Sequence, residues 1–359
     1  MLSIVRTVSC LAAGVTAVTL SACSDNTAPK TTPKNYALWV ANNCGTSITL
    51  FANSQLGATG APVPADTIGG IRQSGGVAID ASGNLWVASY NLDTLRMYTV
   101  SQRTGGGSPT PAVTIVSPSL SDPEQIAFDA NGTLWVADNT NGLIGFTKGQ
   151  LAASGTVTAT YVITDTTTGN SGTYAVAFDA HGNGWVASAN QNHLSKYTPS
   201  QLTASGSPVP TTVIDSTAGS LVSPSALAFD AAGDLWVAND GHTLVEFTPA
   251  QQSAGGTPTP PVTITLANNG NAFGLAIDNH GTVWTADANN NVIIGIPSSQ
   301  LTTGTTGASD IVLSTVGNSI DCPEQLALDP YATAVAGAAS RVPTSAPRHV
   351  ANLNGHARL

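Results

Sequence analysis

The chain has 359 residues, 42% of them apolar and only 9% charged, with 36 glycines and 21 prolines. That is too apolar for a disordered chain and long enough for one large β domain or two ordinary domains. The formal net charge is −10, and between positions 35 and 330 five basic residues (Arg72, Arg96, Arg103, Lys148, Lys196) stand against twenty acidic ones. Such a surface repels phosphates, which excludes nucleic acid and anionic lipid headgroups as partners.

Residues 1–22 read as an export signal. Arg6 supplies a short basic region, and an apolar run from Val8 to Leu20 is too short to span a membrane. The run ends in Leu20-Ser21-Ala22-Cys23, which resembles the bacterial lipobox. Small residues suit a peptidase cleft, and the Cys23 thiol is the expected lipid acceptor. Ser24 in place of Asp implies an outer-membrane destination in the cell envelope. Residues 23–34, the lipidated Cys and a polar Pro-containing segment, are expected to be a flexible tether. Contact with a membrane is then expected through the lipid alone.

From residue 35 a motif recurs. Five complete copies are VAIDASGNLWVAS (77–89), IAFDANGTLWVAD (126–138), VAFDAHGNGWVAS (176–188), LAFDAAGDLWVAN (227–239) and LAIDNHGTVWTAD (275–287). The six tryptophans, Trp39, Trp86, Trp135, Trp185, Trp236 and Trp284, are spaced by 47, 49, 50, 51 and 48 residues. A period near fifty with this pattern predicts an all-β, six-bladed β-propeller over 35–330. Within each repeat the apolar-Ala-apolar-Asp run is the innermost strand, a. Asp and Gly three residues apart mark a tight turn, as in Asp80/Gly83. Leu-Trp-Val-Ala is strand b, apolar on both faces because it lies between blades. Strand c ends in an aromatic-Thr pair, and a β-branched run forms strand d. Between c and d, TPSQLTASG (198–206) and TPAQQSAGG (248–256) spell a capping box with Pro at the first helical position, hence one helical turn.

The ends complement each other. Trp39 has no strand a before it, and QLALD (325–329) has no strand b after it. The C-terminal strand a is therefore expected to pair with the N-terminal strand b, a velcro closure that removes an exposed edge. Cys44 follows Trp39 and Cys322 precedes the last strand a. Because a and b are antiparallel, both cysteines fall at the same end of the blade, and a Cys44–Cys322 disulfide is predicted. Residues 331–359, rich in Ala and without acids, are expected to be a disordered tail.

The run Gly76-Val77-Ala78-Ile79-Asp80-Ala81-Ser82-Gly83-Asn84-Leu85-Trp86-Val87-Ala88 resembles the NHL-type repeat, with Trp where many such repeats have Tyr. The resemblance covers nearly all of 35–330 and implies the fold. NHL-like propellers include protein- and RNA-binding modules, gluconolactonase-related hydrolases and the virginiamycin B lyase group.

Ligands of propellers meet the channel mouth, where strands a begin and strands b end. Two polar sets fall there. One is the Pro-Glu-Gln triplet, with Glu124 and Glu324. The other is the third residue after each Trp, chiefly Asn42, Asp138, Asn239 and Asp287. They could form an oxygen ring for Ca²⁺, as the gluconolactonase resemblance implies, or simply cap loops and satisfy strand ends. His193 and His242 lie in loops on the mouth side, and a lyase-like mechanism would want one as a general base; His181 and His280 fall in turns on the opposite face. No phosphate loop, serine elbow or zinc spacing is present. The leading expectation is a monomeric envelope lipoprotein that binds a protein, peptide or glycan through its loops without a cofactor. The alternative is a divalent-metal lactonase- or lyase-like enzyme.

Overall fold

In the computed structural model the described residues are 36–331, apart from 165–171, 217–218, 308–309 and 315–318. The signal, Cys23, the tether and the tail beyond 331 lie outside them. No helix among the described residues is long and apolar enough to cross a membrane. The described residues form six sheets, each a blade of four antiparallel strands named a to d from the axis outward; in blades 2 and 5 a short parallel strand from the next blade, Gly155–Thr156 or Gly304–Thr305, adds to the outer edge. Blade 1 is composite: strand a is Pro323–Asp329, followed by Ala37–Asn42, Ser47–Phe51 and Asp66–Gly69. Strands a of blades 2 to 6 are Ser74–Ile79, Pro123–Phe128, Thr173–Phe178, Pro224–Phe229 and Ala272–Ile277. Their strands b are Leu85–Ser89, Leu134–Asp138, Gly184–Ser188, Leu235–Asn239 and Val283–Asp287. Each strand a touches the strands a of both neighbouring blades, so the ring closes.

The core is six apolar seams, one between each pair of neighbouring blades. Between blades 2 and 3, Trp86, Ala88 and Leu95 pack with Ile126, Leu134, Val136 and Phe146. All six tryptophans are at most 2% exposed. Burying one takes roughly 200 Å² out of water, about 5 kcal/mol gross. The turn Asp explains why an indole is tolerated there. Asp80 Oδ1 accepts the N–H groups of Ser82 and Asn84, while Oδ2 accepts Trp86 Nε1 at 3.1 Å. The same indole bond recurs for Trp135 (3.1 Å), Trp236 (3.4 Å) and Trp284 (3.0 Å). Trp185 is the exception: its indole N–H has no acceptor among the described residues, and Lys196 lies 5.4 Å from its ring centroid.

The predicted helical turns lie on the rim between c and d: Pro199–Leu202 with Gln201 closing the box on Thr198, and Pro249–Ala254 with Gln251 on Thr248. The Gln then reaches further than a capping box requires. Nε2 of Gln102, Gln150, Gln201 and Gln251 donates to the carbonyl eight residues on. This folds the c–d segment back so that a Gly bridges, in parallel, to strand d of the preceding blade. Gly60, Gly107, Gly155, Gly206, Gly256 and Gly304 make these bridges around the ring. The outer edge of every blade is therefore partly covered by its neighbour.

Closure is as the sequence predicts. Strand a of blade 1 pairs with Ala37–Asn42, with Trp39 opposite Ala327. Cys44 and Cys322 are joined by a disulfide with their Cα atoms 5.3 Å apart. Asp329 substitutes for the missing turn: its Oδ2 accepts Trp39 Nε1 at 3.3 Å, across 290 residues of sequence. A second lock was not expected. Arg103, on the c–d segment of blade 2, forms an ion pair with Asp329, at 2% and 0% exposure. Burial pulls the Arg103 guanidinium down from its usual range, and Asp80 opposes that pull. The composite blade is thus fastened at both ends, by the disulfide at the mouth and by this ion pair at the far face.

Candidate functional site

At the mouth every strand a carries one extra residue. In blade 2, Ser74 pairs with Ser89 and Gly76 with Ala88, which leaves Gly75 unpaired. The same one-residue shift occurs in all six blades. A bulge of this kind re-aims side chains and is common beside binding sites. Counted from the pair at the mouth, the second residues of blades 1 to 6 are Glu324, Gly75, Glu124, Tyr174, Ser225 and Phe273. The third are Gln325, Gly76, Gln125, Ala175, Ala226 and Gly274. The mouth therefore has an acidic half on blades 1 to 3 and an aromatic half on blades 4 to 6.

The two Pro-Glu-Gln triplets depend on a partner in the blade before them. A Cβ on Gly76 would lie 2.2 Å from Glu124 O, and one on Gly274 would lie 2.3 Å from Glu324 O. Only glycine lets the bulged Glu backbone approach so closely. The following Gln then reaches between blades. Gln125 pairs with the backbone of Leu227, donating to its carbonyl at 3.1 Å and accepting its N–H at 3.2 Å, and also accepts from Val176 N. Gln325 Nε2 donates to the carbonyls of Ser225 and Phe273, both at 3.2 Å. The innermost edge of a blade has no partner strand, and these amides supply its hydrogen bonds. The two glutamines form the floor below the mouth.

Asn42, Asp138, Asn239 and Asp287 are at most 1% exposed and hold loop backbone. Asn42 Oδ1 accepts from Asp321 N at 3.1 Å while its Nδ2 donates to Ser319 O. Asn239 does the same with Val222 N and Ser220 O. Asp138 accepts from Ser121 N at 2.6 Å and from the N–H groups of Thr140 and Asn141. Burial pushes the Asp138 carboxyl up to about 6, against these hydrogen bonds, which hold it down. Asp287 accepts from Asn271 N and Asn290 N. Glu124 and Glu324 are 6% and 7% exposed, and Asn43 Nδ2 donates to Glu324. His193 is buried at the start of strand c, and His242 Nδ1 is bonded to Gly270 O. His181 and His280 stand exposed in turns of the far face.

Among the described residues, the one group of three His, Cys, Asp or Glu ligand atoms close enough to share an ion is Cys44, Asp321 and Cys322. Two of those three are spent in the disulfide. Glu124, Asp138, Asp287 and Glu324 do not gather into such a group. A shallow cleft of about 380 Å³ lies away from the mouth, on the outer flank between blades 1 and 2, lined by Arg96, Tyr98 and the Ser108–Pro111 segment. It contains no acid or histidine.

No protein-family model matches the chain, and no curated protein matches it. Solved structures do. A protein of unknown function from Bacteroides caccae is 12% identical, with a TM-score of 0.56 over 82% of this chain and 99% of that one. A chain of the nidogen/laminin complex is 13% identical, with a TM-score of 0.55 over 82% and 98%. Virginiamycin B lyase from Staphylococcus aureus is 14% identical, with a TM-score of 0.46 over 70% and 73%. The likeness is one of fold.

Proposed function

We propose that this chain is an exported, lipid-anchored binding module of the cell envelope whose ligand face is the channel mouth. The observation that carries the reading is the contrast between the two faces. The far face repeats one device, the Asp-Gly turn locked to Trp, in blades 2, 3, 5 and 6. The mouth is built from six equivalent bulges that carry different side chains, acidic on one half and aromatic on the other. Selection for binding acts where a symmetric scaffold becomes asymmetric. The partner is a protein, peptide or glycan, and Cys23 tethers the monomeric module to the membrane.

The experiment uses the mature chain on peptide and glycan arrays. Wild type is compared with Tyr174→Ala/Phe273→Ala at the mouth and His181→Ala/His280→Ala on the far face. Loss of the captured ligand in the mouth variant alone is the expected result. Loss in the far-face variant alone would overturn the assignment of the face.

A further inference from the structure

We infer that the cleft on the outer flank between blades 1 and 2 binds the carboxylate of a small hydroxylated acid, a sugar acid, with Arg96 as its counter-ion. This site lies away from the mouth and is independent of the mouth's ligand. Arg96 sits on strand c of blade 2, in register with Val87 of strand b and Thr114 of strand d. The equivalent residues of the other blades are Thr49, Ile144, Ser195, Val245 and Ile294, all at most 5% exposed and none charged. Arg96 alone is charged and half-buried. It makes no hydrogen bond or ion pair with any described residue, in a chain where acids far outnumber bases. A guanidinium drawn partly out of water without a counter-ion calls for an anion.

The wall beside it is built to stay open. Strand d of blade 1 ends in Gly69, where blades 2, 4 and 5 have Val116, Asp215 and Thr265. A Cβ on Gly69 would lie 2.7 Å from Ser108 Oγ, and Gly70 has a φ of +77°. Both positions favour glycine, so this wall is bare backbone. The Ser108–Pro111 segment folds over it, held by the bridge between Gly107 and Ile68. The cleft so formed, about 380 Å³, suits a small molecule. Its other polar groups are neutral: the hydroxyls of Tyr98, Thr110 and Thr114 make no hydrogen bond with any described residue. Burial pushes the Tyr98 phenol up from its usual range, and the Arg96 charge pulls it down. The planar guanidinium presents paired N–H donors that match the two oxygens of a carboxylate. One cation balances one negative charge, and the second charge of a phosphate would meet only an acidic surface. Hydroxyls both donate and accept, which fits the hydroxyls of a sugar, and Pro109 and Pro111 supply apolar flanks for its C–H groups.

The test is a calorimetric titration of the mature, disulfide-intact protein with the sugar acids glucuronate and galacturonate, with neutral methyl glucoside, and with N-acetyl-alanine. At least one sugar acid is expected to bind roughly tenfold or more tightly than methyl glucoside, and more weakly as salt is raised. Arg96→Thr, which copies the blade 1 residue, is expected to abolish that preference. Tyr98→Phe, which copies the blade 3 residue, is expected to weaken binding by about threefold. No binding of either sugar acid, or binding no tighter than that of methyl glucoside, would overturn the inference without any variant. So would undiminished binding of the acid by Arg96→Thr. N-acetyl-alanine binding as tightly as the sugar acid would make the ligand a peptide carboxylate and overturn the sugar assignment. Loss of binding in Tyr174→Ala/Phe273→Ala but not in Arg96→Thr would move the acid to the mouth and overturn the cleft.

Discussion

Asp138 shows how a repeat protein can use one position in two ways. In blades 1 and 5 the equivalent residue is Asn, which accepts one backbone N–H and donates to backbone carbonyls, Ser47 and Ser319 for Asn42 and Ser220 for Asn239. In blade 3 it is Asp, which accepts three N–H groups while 0% exposed. Burial wins over those bonds, and its carboxyl rises from 3.8 to about 6. The folded state then binds more protons than the unfolded state between those values, so stability falls as pH rises across that window. The full shift corresponds to about 3 kcal/mol from this group. Chemical denaturation between pH 3.5 and 7 should show that decline in wild type, and a flatter profile for Asp138→Asn. An unchanged profile in the variant would show that the group is not responsible. That Asp, Asn or Ser would follow strand b was legible in the sequence as a polar set. Their targets were not, because the accepted N–H groups belong to loops whose approach is set by the ring.

At the scale of elements, strands a and b were legible because each repeat spells them locally, with a period of two and a turn between. What crosses a seam was harder to read. Gly76 and Gly274 are required by Glu124 and Glu324, about fifty residues later in sequence and one blade away. Nothing near either glycine announces that demand. Arg103 did leave a signal: the residue after the capping Gln is Leu in four blades (Leu56, Leu151, Leu202 and Leu301), the neutral Gln252 in blade 5, and a charged Arg in blade 2 alone. The Arg follows from closure. Asp329 ends a strand that has no continuous turn, and its buried charge needs a counterion. Removing one partner of a buried pair costs about 3–5 kcal/mol, whereas replacing both is far less harmful. Arg103→Leu should therefore lower stability in urea by roughly that amount. Arg103→Leu/Asp329→Asn should recover most of it, because Asn can still accept Trp39 Nε1. A double variant no better than the single one would contradict this account of the second lock.

For the molecule as a whole, the six tryptophans announce the blades and the incomplete repeats announce the closure. The disulfide spans 278 residues, so in the chain-entropy model it contributes on the order of 5 kcal/mol. Cys44→Ser/Cys322→Ser should lose a large part of that in denaturant titrations, and a loss under about 1 kcal/mol would mean the ring is held without it. Function was the least legible, because the repeats are nearly identical and the informative differences occupy a single bulged position per blade. The most direct measurement is hydrogen exchange of the mature protein with and without a captured ligand. If the mouth is the ligand face, protection rises there, in residues 73–76, 122–125, 173–175 and 223–226. Protection confined to the far-face turns at 80–84, 129–133 and 230–234, with the mouth unchanged, would contradict it.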